Sequence, residues 1–250
     1  MDKLTNSVPG LLPPQKSSSP GTHILIGITC YSKKKYCIDE FIKALKELDK
    51  PINTDIIFID NSKTEDYANY IKSKGFKVLR SRKLINSYET LKEAYNVLRG
   101  YFLEKGYTHL FSLEQDIIAP KQTLTKLLSH NKDIISGLYY LGDTPCVMVG
   151  KSVLVTPGRE REFRFEKTYF KYDFIDKKKL ETDKLLEVYC AGLGCMLIKR
   201  KILEKIRFRL WSNECYRQVH NDMPFSQDCR SRGFKIFLDP NVKCGHLNYF

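Results

Sequence analysis

The 250-residue chain contains no run approaching the ~18–20 apolar residues that a membrane-spanning helix requires. A signal peptide's uninterrupted apolar region is also missing. Residues 1–22, MDKLTNSVPGLLPPQKSSSPGT, are broken by prolines and polar residues and are expected to form a flexible tail. Eight cysteines, at 30, 37, 146, 190, 195, 215, 229 and 244, never form C-x-x-C. That excludes the usual zinc-ribbon spacings and argues against a compact disulfide framework. A reducing, cytoplasmic setting is the default expectation. Neither G-x-G-x-x-G nor G-x-x-x-x-G-K-[ST] occurs, so neither an ordinary dinucleotide site nor a P-loop is supported. Acids are in deficit, 29 against 42 Lys and Arg, for a formal charge of +13. The excess favours anionic partners (nucleic acid, nucleotide phosphates or an acidic membrane surface) without choosing among them. Many of the lysines stand beside acids on what read as solvated helix faces, a second source of the same excess.

What is present, from His23 onward, is a regular alternation of strand and helix. HILIGIT is a short apolar run rich in β-branched residues, as in a buried strand. CIDEFIKALKELDK follows, with Phe41, Ile42, Leu45 and Leu48 at helical spacing. TDIIFIDNS reads as a second buried strand, TEDYANYIKSKG as a short helix stopped by Gly75, and FKVLR as a third strand. The next helix puts Tyr88, Leu91, Tyr95, Leu98 and Phe102 on one stripe and ends near Gly106. HLFSLEQD, a short helix after Pro120 and DIISGLYY complete the pattern. Strands apolar on both faces suit a mostly parallel sheet covered by helices. Beyond Tyr140 the pattern breaks into short strand-like pieces (CVMVG, SVLVT, EFRFE) and the charged KYDFIDKKKLETDK, which together suggest an antiparallel extension with a mobile loop. No internal repeat is visible, nor any linker after residue 22.

Such sheets bind ligands at the carboxyl ends of their strands, where Asp60 and the pair Glu114 and Asp116 fall. Acids spaced i, i+2 point to one side of an extended strand, and hard cations such as Mg²⁺ or Mn²⁺ take carboxylates and substrate phosphates together. A capped turn before Pro120 is the competing reading of the same pair. Asp60 has two readings as well: acceptor for a ribose or base, or ordinary Asp-Asn-Ser turn chemistry. Asp222 reads either as the N-cap of the helix MPFSQDCRSRG or as a base at a cleft. Asp228, six residues on, reads as structural. His246, in a Gly-flanked segment, reads locally as a packing residue or a ligand.

Taken in order, these segments resemble the GT-A glycosyltransferases, in particular the family 2-like enzymes. ILIGITCYSK is similar to their opening strand and nucleotide-contacting turn, and IFIDNSKTED to V-V-D-N-S-S-T-D. LFSLEQDIIAP resembles the strand carrying the D-x-D metal motif, here E-Q-D. AGLGCMLIKRKILEKI is similar to the acceptor-side G-x-G-x-x-L-I-[KR]-R segment. NDMPFSQDCRSRGFKIFLDPNVKCGH resembles the E-D-x-x-F-C…V-K-x-G-H ending. The resemblance runs from about residue 23 to 248. It implies a single α/β GT-A (Rossmann-like) domain over 23–250, with a mostly parallel sheet flanked by helices and a smaller antiparallel extension. Residues 23–140 would be its nucleotide-sugar-binding half and 141–250 its acceptor-side half.

Position by position, the resemblance implies a divalent metal, Mn or Mg, held by Asp116 and His246. It implies donor contacts at Thr29, Tyr31, Asp60 and Glu114, and acceptor-side roles for Gly192 and Gly194. Asp222 would be the general base, with Asp228 its substitute if the alignment slips by a helical turn or two. Glu114 replaces the family's first Asp and Asn221 the Glu of its E-D pair, so those two roles depart from the pattern. The implied reaction is inverting transfer of a sugar from a UDP- or GDP-sugar to a hydroxyl of a glycan, lipid-linked or protein acceptor. Nucleic acid is not an expected partner. The basic, aromatic 158–184 stretch reads either as a cover for the acceptor or as a surface for peripheral contact with an anionic membrane.

Two other readings compete. A sugar-phosphate nucleotidyltransferase would carry a glycine-rich phosphate loop after the first strand; ITCYSKKKYC has the lysines and lacks the glycines. A basic nucleic-acid-binding protein would fit the charge and REFRFEKTYFKY, yet no nucleic-acid module is visible.

Overall fold

The computed structural model describes residues 21–84, 86–153, 170–210 and 221–247. The tail expected over 1–22 lies almost wholly outside these residues, as do the strand piece EFRFE and residues 158–169 of the basic, aromatic 158–184 stretch.

The first half alternates as the apolar patterning predicts. Strand β1 (Ile24–Cys30) leads through a 3₁₀ turn (Ser32–Cys37) into α1 (Ile38–Glu47), then β2 (Thr54–Asp60), α2 (Asp66–Ser73) and β3 (Lys77–Arg80). Helix α3 (Ser87–Glu104) precedes β4 (His109–Glu114), a two-residue β5 (Ile117–Ile118), α4 (Thr123–Ser129) and β6 (Ile134–Leu138). A hairpin of β7 (Tyr140–Leu141) and β8 (Thr144–Pro145) follows, then β9 (Val147–Val153) and β10 (Phe170–Phe174). After β11 (Leu186–Val188) and β12 (Cys190–Ala191) come β13 (Cys195–Lys199) and α5 (Arg200–Lys205). The described chain closes with α6 (Asp222–Ser231), β14 (Ile236–Lys243) and β15 (Gly245–His246).

Eight strands form the central sheet in the order β11-β14-β6-β13-β4-β1-β2-β3. β13 runs antiparallel to both of its neighbours, β4 and β6, and β11 antiparallel to β14; the remaining pairs are parallel. β10, β9 and β12 make the smaller antiparallel sheet. Strands β11, β13 and β14, from the second half of the chain, therefore complete the main sheet.

Alternate residues of β1 serve two cores. Leu25 packs with Leu98 and Phe102 of α3 on one face, while Ile24, Ile26 and Ile28 pack with Phe41 and Phe58 on the other. Burial on both faces is what a covered parallel sheet demands. Gly27 permits the close seat of α3: a Cβ there would lie 2.5 Å from a Leu98 methyl. Register then aligns the strand ends that matter. Thr29 stands opposite Glu114 and Cys30 opposite Asp60. The short antiparallel pairing of β15 with β5 puts His246 opposite Ile117, one residue past Asp116.

Candidate functional site

β4 ends at Glu114, and the chain turns at Gln115 and Asp116 before β5. The two acids are therefore not side by side on one extended strand, as their spacing predicts. Glu114 closes the strand, and Asp116 lies in the turn, where the chain reverses toward β15. The backbone N–H of Leu247 donates to the Asp116 carbonyl at 2.8 Å, fixing that approach.

Asp116 is 2% exposed. Its Oδ2 accepts from the Lys34 ammonium at 2.6 Å and faces His246 Nε2 at 3.1 Å. Its Oδ1 is buried without a hydrogen-bond partner. Burial alone would push this carboxyl up, but the His246 hydrogen bond and the Lys34 charge hold it below its ordinary value. His246 Nδ1 lies 2.7 Å from the Tyr140 carbonyl oxygen, which can only accept, so Nδ1 carries a proton. A backbone carbonyl on one ring nitrogen is the usual device for aiming the other at a cation. Burial opposes the imidazolium, yet the Asp116 hydrogen bond raises the His246 pKa overall.

Glu114 is half-buried and accepts from the Tyr95 hydroxyl at 3.2 Å. Burial pushes its carboxyl up, Lys34 pulls it down, and the charges of Asp116 and Asp222 add to the rise. Asp222 is thus electrostatically part of the same acidic group although it comes from α6. It is the first residue of that helix; the N-cap position belongs to Asn221, so the reading of Asp222 as N-cap is corrected. Asp222 Oδ1 accepts from the Met223 N–H at 2.9 Å. The structure does not bring Asp228 to this group: Arg209 binds its carboxylate through Nε and Nη2 at 2.7 and 2.8 Å.

Among the donor-side residues, Thr29 is buried in register with Glu114, and the Tyr31 N–H donates to Gln115 Oε1 at 3.0 Å. Asp60 is fully buried. One of its oxygens accepts from the N–H and hydroxyl of Ser62 at 3.1 and 2.5 Å, the other from Arg80 at 3.0 Å. Its carboxylate thus shapes the turn after β2. Gly192 and Gly194 sit against Tyr139: a Cβ would fall 1.8 Å from its hydroxyl oxygen at Gly192 and 2.9 Å at Gly194. The Gly194 N–H donates to that hydroxyl at 3.1 Å, and the Tyr139 ring meets His246 edge-on at 5.8 Å.

Two residues of this site escaped the sequence reading. Gln115, 1% exposed, accepts from Tyr31 N–H and the Tyr67 hydroxyl and donates to the Lys34 carbonyl at 2.9 Å. It ties the turn after β1 to the end of β4. Lys34 belongs to that turn, and the only signal for it was the lysine run directly after the first strand.

The donor set fits a divalent ion. An orphaned carboxylate oxygen and an aligned imidazole are present, and hard cations held by one or two protein groups complete their shell with substrate phosphates and water. Among the described residues no cluster of three His, Cys, Asp or Glu side chains could hold an ion without such help.

No protein family profile matches the sequence, and no curated protein matches it. Solved structures do match in fold. The structure of GalNAc-T7 with UDP, GalNAc and Mn²⁺ superposes with a TM-score of 0.59 at 13% identity, over 92% of this chain and 44% of that one. TarS 1–349 of S. aureus gives 0.54 at 14% identity over 90% of this chain and 60% of that one. Its complex with UDP-GlcNAc gives 0.56 at 13% identity, over 92% and 59% respectively. The chain thus spans less than two thirds of each. Its fold is that of the GT-A nucleotide-sugar transferases.

Proposed function

We infer that this chain is a glycosyltransferase that moves a sugar from a UDP- or GDP-sugar to an acceptor hydroxyl. The observation that carries the reading is the convergence of Asp116, His246 and Glu114 at the carboxyl ends of the strands, with Asp222 acting on them from α6. A sheet of this kind binds ligands there. The neighbours solved with UDP, GalNAc and Mn²⁺ and with UDP-GlcNAc support the donor class.

Asp116 and His246 would hold Mn²⁺ or Mg²⁺, which supplies Lewis-acid stabilisation of the charge that develops on the diphosphate leaving group. Gln115 holds the Tyr31–Lys34 turn rigid beneath the donor. Tyr95 holds Glu114 at the strand end, where it would meet the donor's ribose. Asp222 takes the proton from the acceptor hydroxyl as its oxygen displaces the nucleoside diphosphate at the anomeric carbon, with inversion. Positioned proton transfer of this kind is worth ~10²–10⁴-fold in rate. The enzyme works in the cytoplasm on a glycan, lipid-linked or protein acceptor.

Asp222→Asn keeps the size of the side chain and removes its basicity. It should lower sugar transfer at least ~10²-fold and leave metal-dependent nucleotide binding unchanged. Asp228→Asn, which loosens only the Arg209 contact, should transfer at close to the parent rate. Parent-rate transfer by Asp222→Asn, or loss confined to Asp228→Asn, refutes the base assignment.

A further inference from the structure

Lys34 has no part in the chemistry just described, yet its ammonium makes the shortest contact to the Asp116 carboxylate, at 2.6 Å. Its side chain is 28% exposed, against 3% for the Asp116 side chain that it meets. Its backbone is fixed independently: the Lys34 carbonyl accepts from Gln115 Nε2 at 2.9 Å and from the Cys37 thiol at 3.1 Å. A lysine with a fixed stem root and a flexible four-carbon arm can change partners without moving its turn. Asp116 Oδ2 meanwhile faces two nitrogens, Lys34 Nζ and His246 Nε2, while Oδ1 has no hydrogen-bond partner.

Resting on the glycosyltransferase reading above, we propose that Lys34 is a resident counter-ion that occupies Asp116 in the metal-free protein and passes to the donor's diphosphate when a divalent ion binds. The electrostatics give the sign of the coupling. With a dication on Asp116 and no nucleotide, the Lys34 ammonium stands against a like charge within a few ångströms and has lost its carboxylate. A diphosphate in the same cleft gives it a new anionic partner. Lys34 therefore weakens binding of the metal alone and strengthens binding of metal and nucleotide together. By linkage, each ligand raises the affinity for the other by the same factor, which for such couplings is roughly 5–150-fold. The device would keep the protein from holding a metal without its donor.

The test is Mn²⁺ bound to the protein, measured by equilibrium dialysis without nucleotide and with the same saturating UDP or GDP on both sides of the membrane. It uses the full chain and the variants Lys34→Met, Lys34→Arg and Asp116→Asn. The parent should bind Mn²⁺ on the order of 10-fold more tightly with nucleotide than without. Lys34→Met, of similar length and uncharged, should bind Mn²⁺ alone more tightly than the parent and show a smaller nucleotide enhancement, the part that remains coming from direct ligation of the ion by the diphosphate. Lys34→Arg, which keeps the cation, should keep the enhancement. Asp116→Asn should bind Mn²⁺ in neither condition. If Lys34→Met behaves as the parent while Asp116→Asn loses the metal, the exchange is wrong and the glycosyltransferase reading stands. If the parent binds no Mn²⁺ with either nucleotide, both fall.

Discussion

Gln115 brings both halves of an amide into a closed gap between the turn after β1 and the end of β4, and both halves are used. Its oxygen accepts from Tyr31 N–H and Tyr67, and its nitrogen donates to the Lys34 carbonyl. Removing the side chain leaves a buried N–H and a buried hydroxyl short of a partner, at a cost of about 1–3 kcal/mol each when no water replaces the amide. Gln115→Ala is therefore expected to lower stability by roughly 2–6 kcal/mol in urea denaturation. It should weaken nucleotide affinity more than Gln115→Glu does, because a carboxylate still accepts from Tyr31. Equal nucleotide affinity in the parent and Gln115→Ala would show that the turn needs no such tie. The neighbouring acids were visible in the sequence because strand ends announce themselves through an apolar run stopped by charge. Gln115 was not, because its partners lie 84 and 48 residues away in sequence and its chemistry is neutral.

At the level of elements, the positions of β13 and β15 decide the site. β13 inserts antiparallel between β4 and β6, and its approach through Gly192 and Gly194 runs directly under Tyr139. A methyl group at position 192 would lie 1.8 Å from the Tyr139 hydroxyl, closer than any two such atoms can stand. Gly192→Ala is expected to destabilise the fold by about 1–3 kcal/mol through overpacking. Tyr139→Phe removes the offending oxygen, so the double variant should recover part of that loss, and a double-mutant cycle by chemical denaturation measures how much. Strict additivity would mean that the glycine serves something other than Tyr139. The β–α alternation and the helical stripes were legible from periodicity, since α1 buries Phe41, Ile42 and Leu45 as its spacing predicts. The antiparallel insertion was not legible, because a five-residue apolar strand reads the same in either direction. The pairing of β15 with β5 was equally hidden: two residues have no period, and only the third dimension brings His246 to Asp116.

Across the whole molecule, the sheet gathers ends from distant parts of the chain: β1 and β4 from the first half, α6 and β15 from the second. The +13 charge is consistent with an anionic ligand, and on the proposed reading that charge would be shared among a metal, Lys34 and the turn after β1. None of the described helices is long and apolar enough to cross a membrane. The central claim is that Asp116 and His246 hold a divalent ion jointly with a nucleotide diphosphate. A ligand that binds only the native state at about 100 times its Kd adds roughly 2.7 kcal/mol of stability, equivalent to roughly 5–10 °C in Tm for a domain of this size. Thermal unfolding with UDP- and GDP-sugars, in Mn²⁺ or in EDTA, reads this directly. The expected result is a rise of that order for at least one donor in Mn²⁺, a small or absent rise in EDTA, and none in Asp116→Asn. An equal rise in EDTA, or no rise with any donor in Mn²⁺, would contradict it.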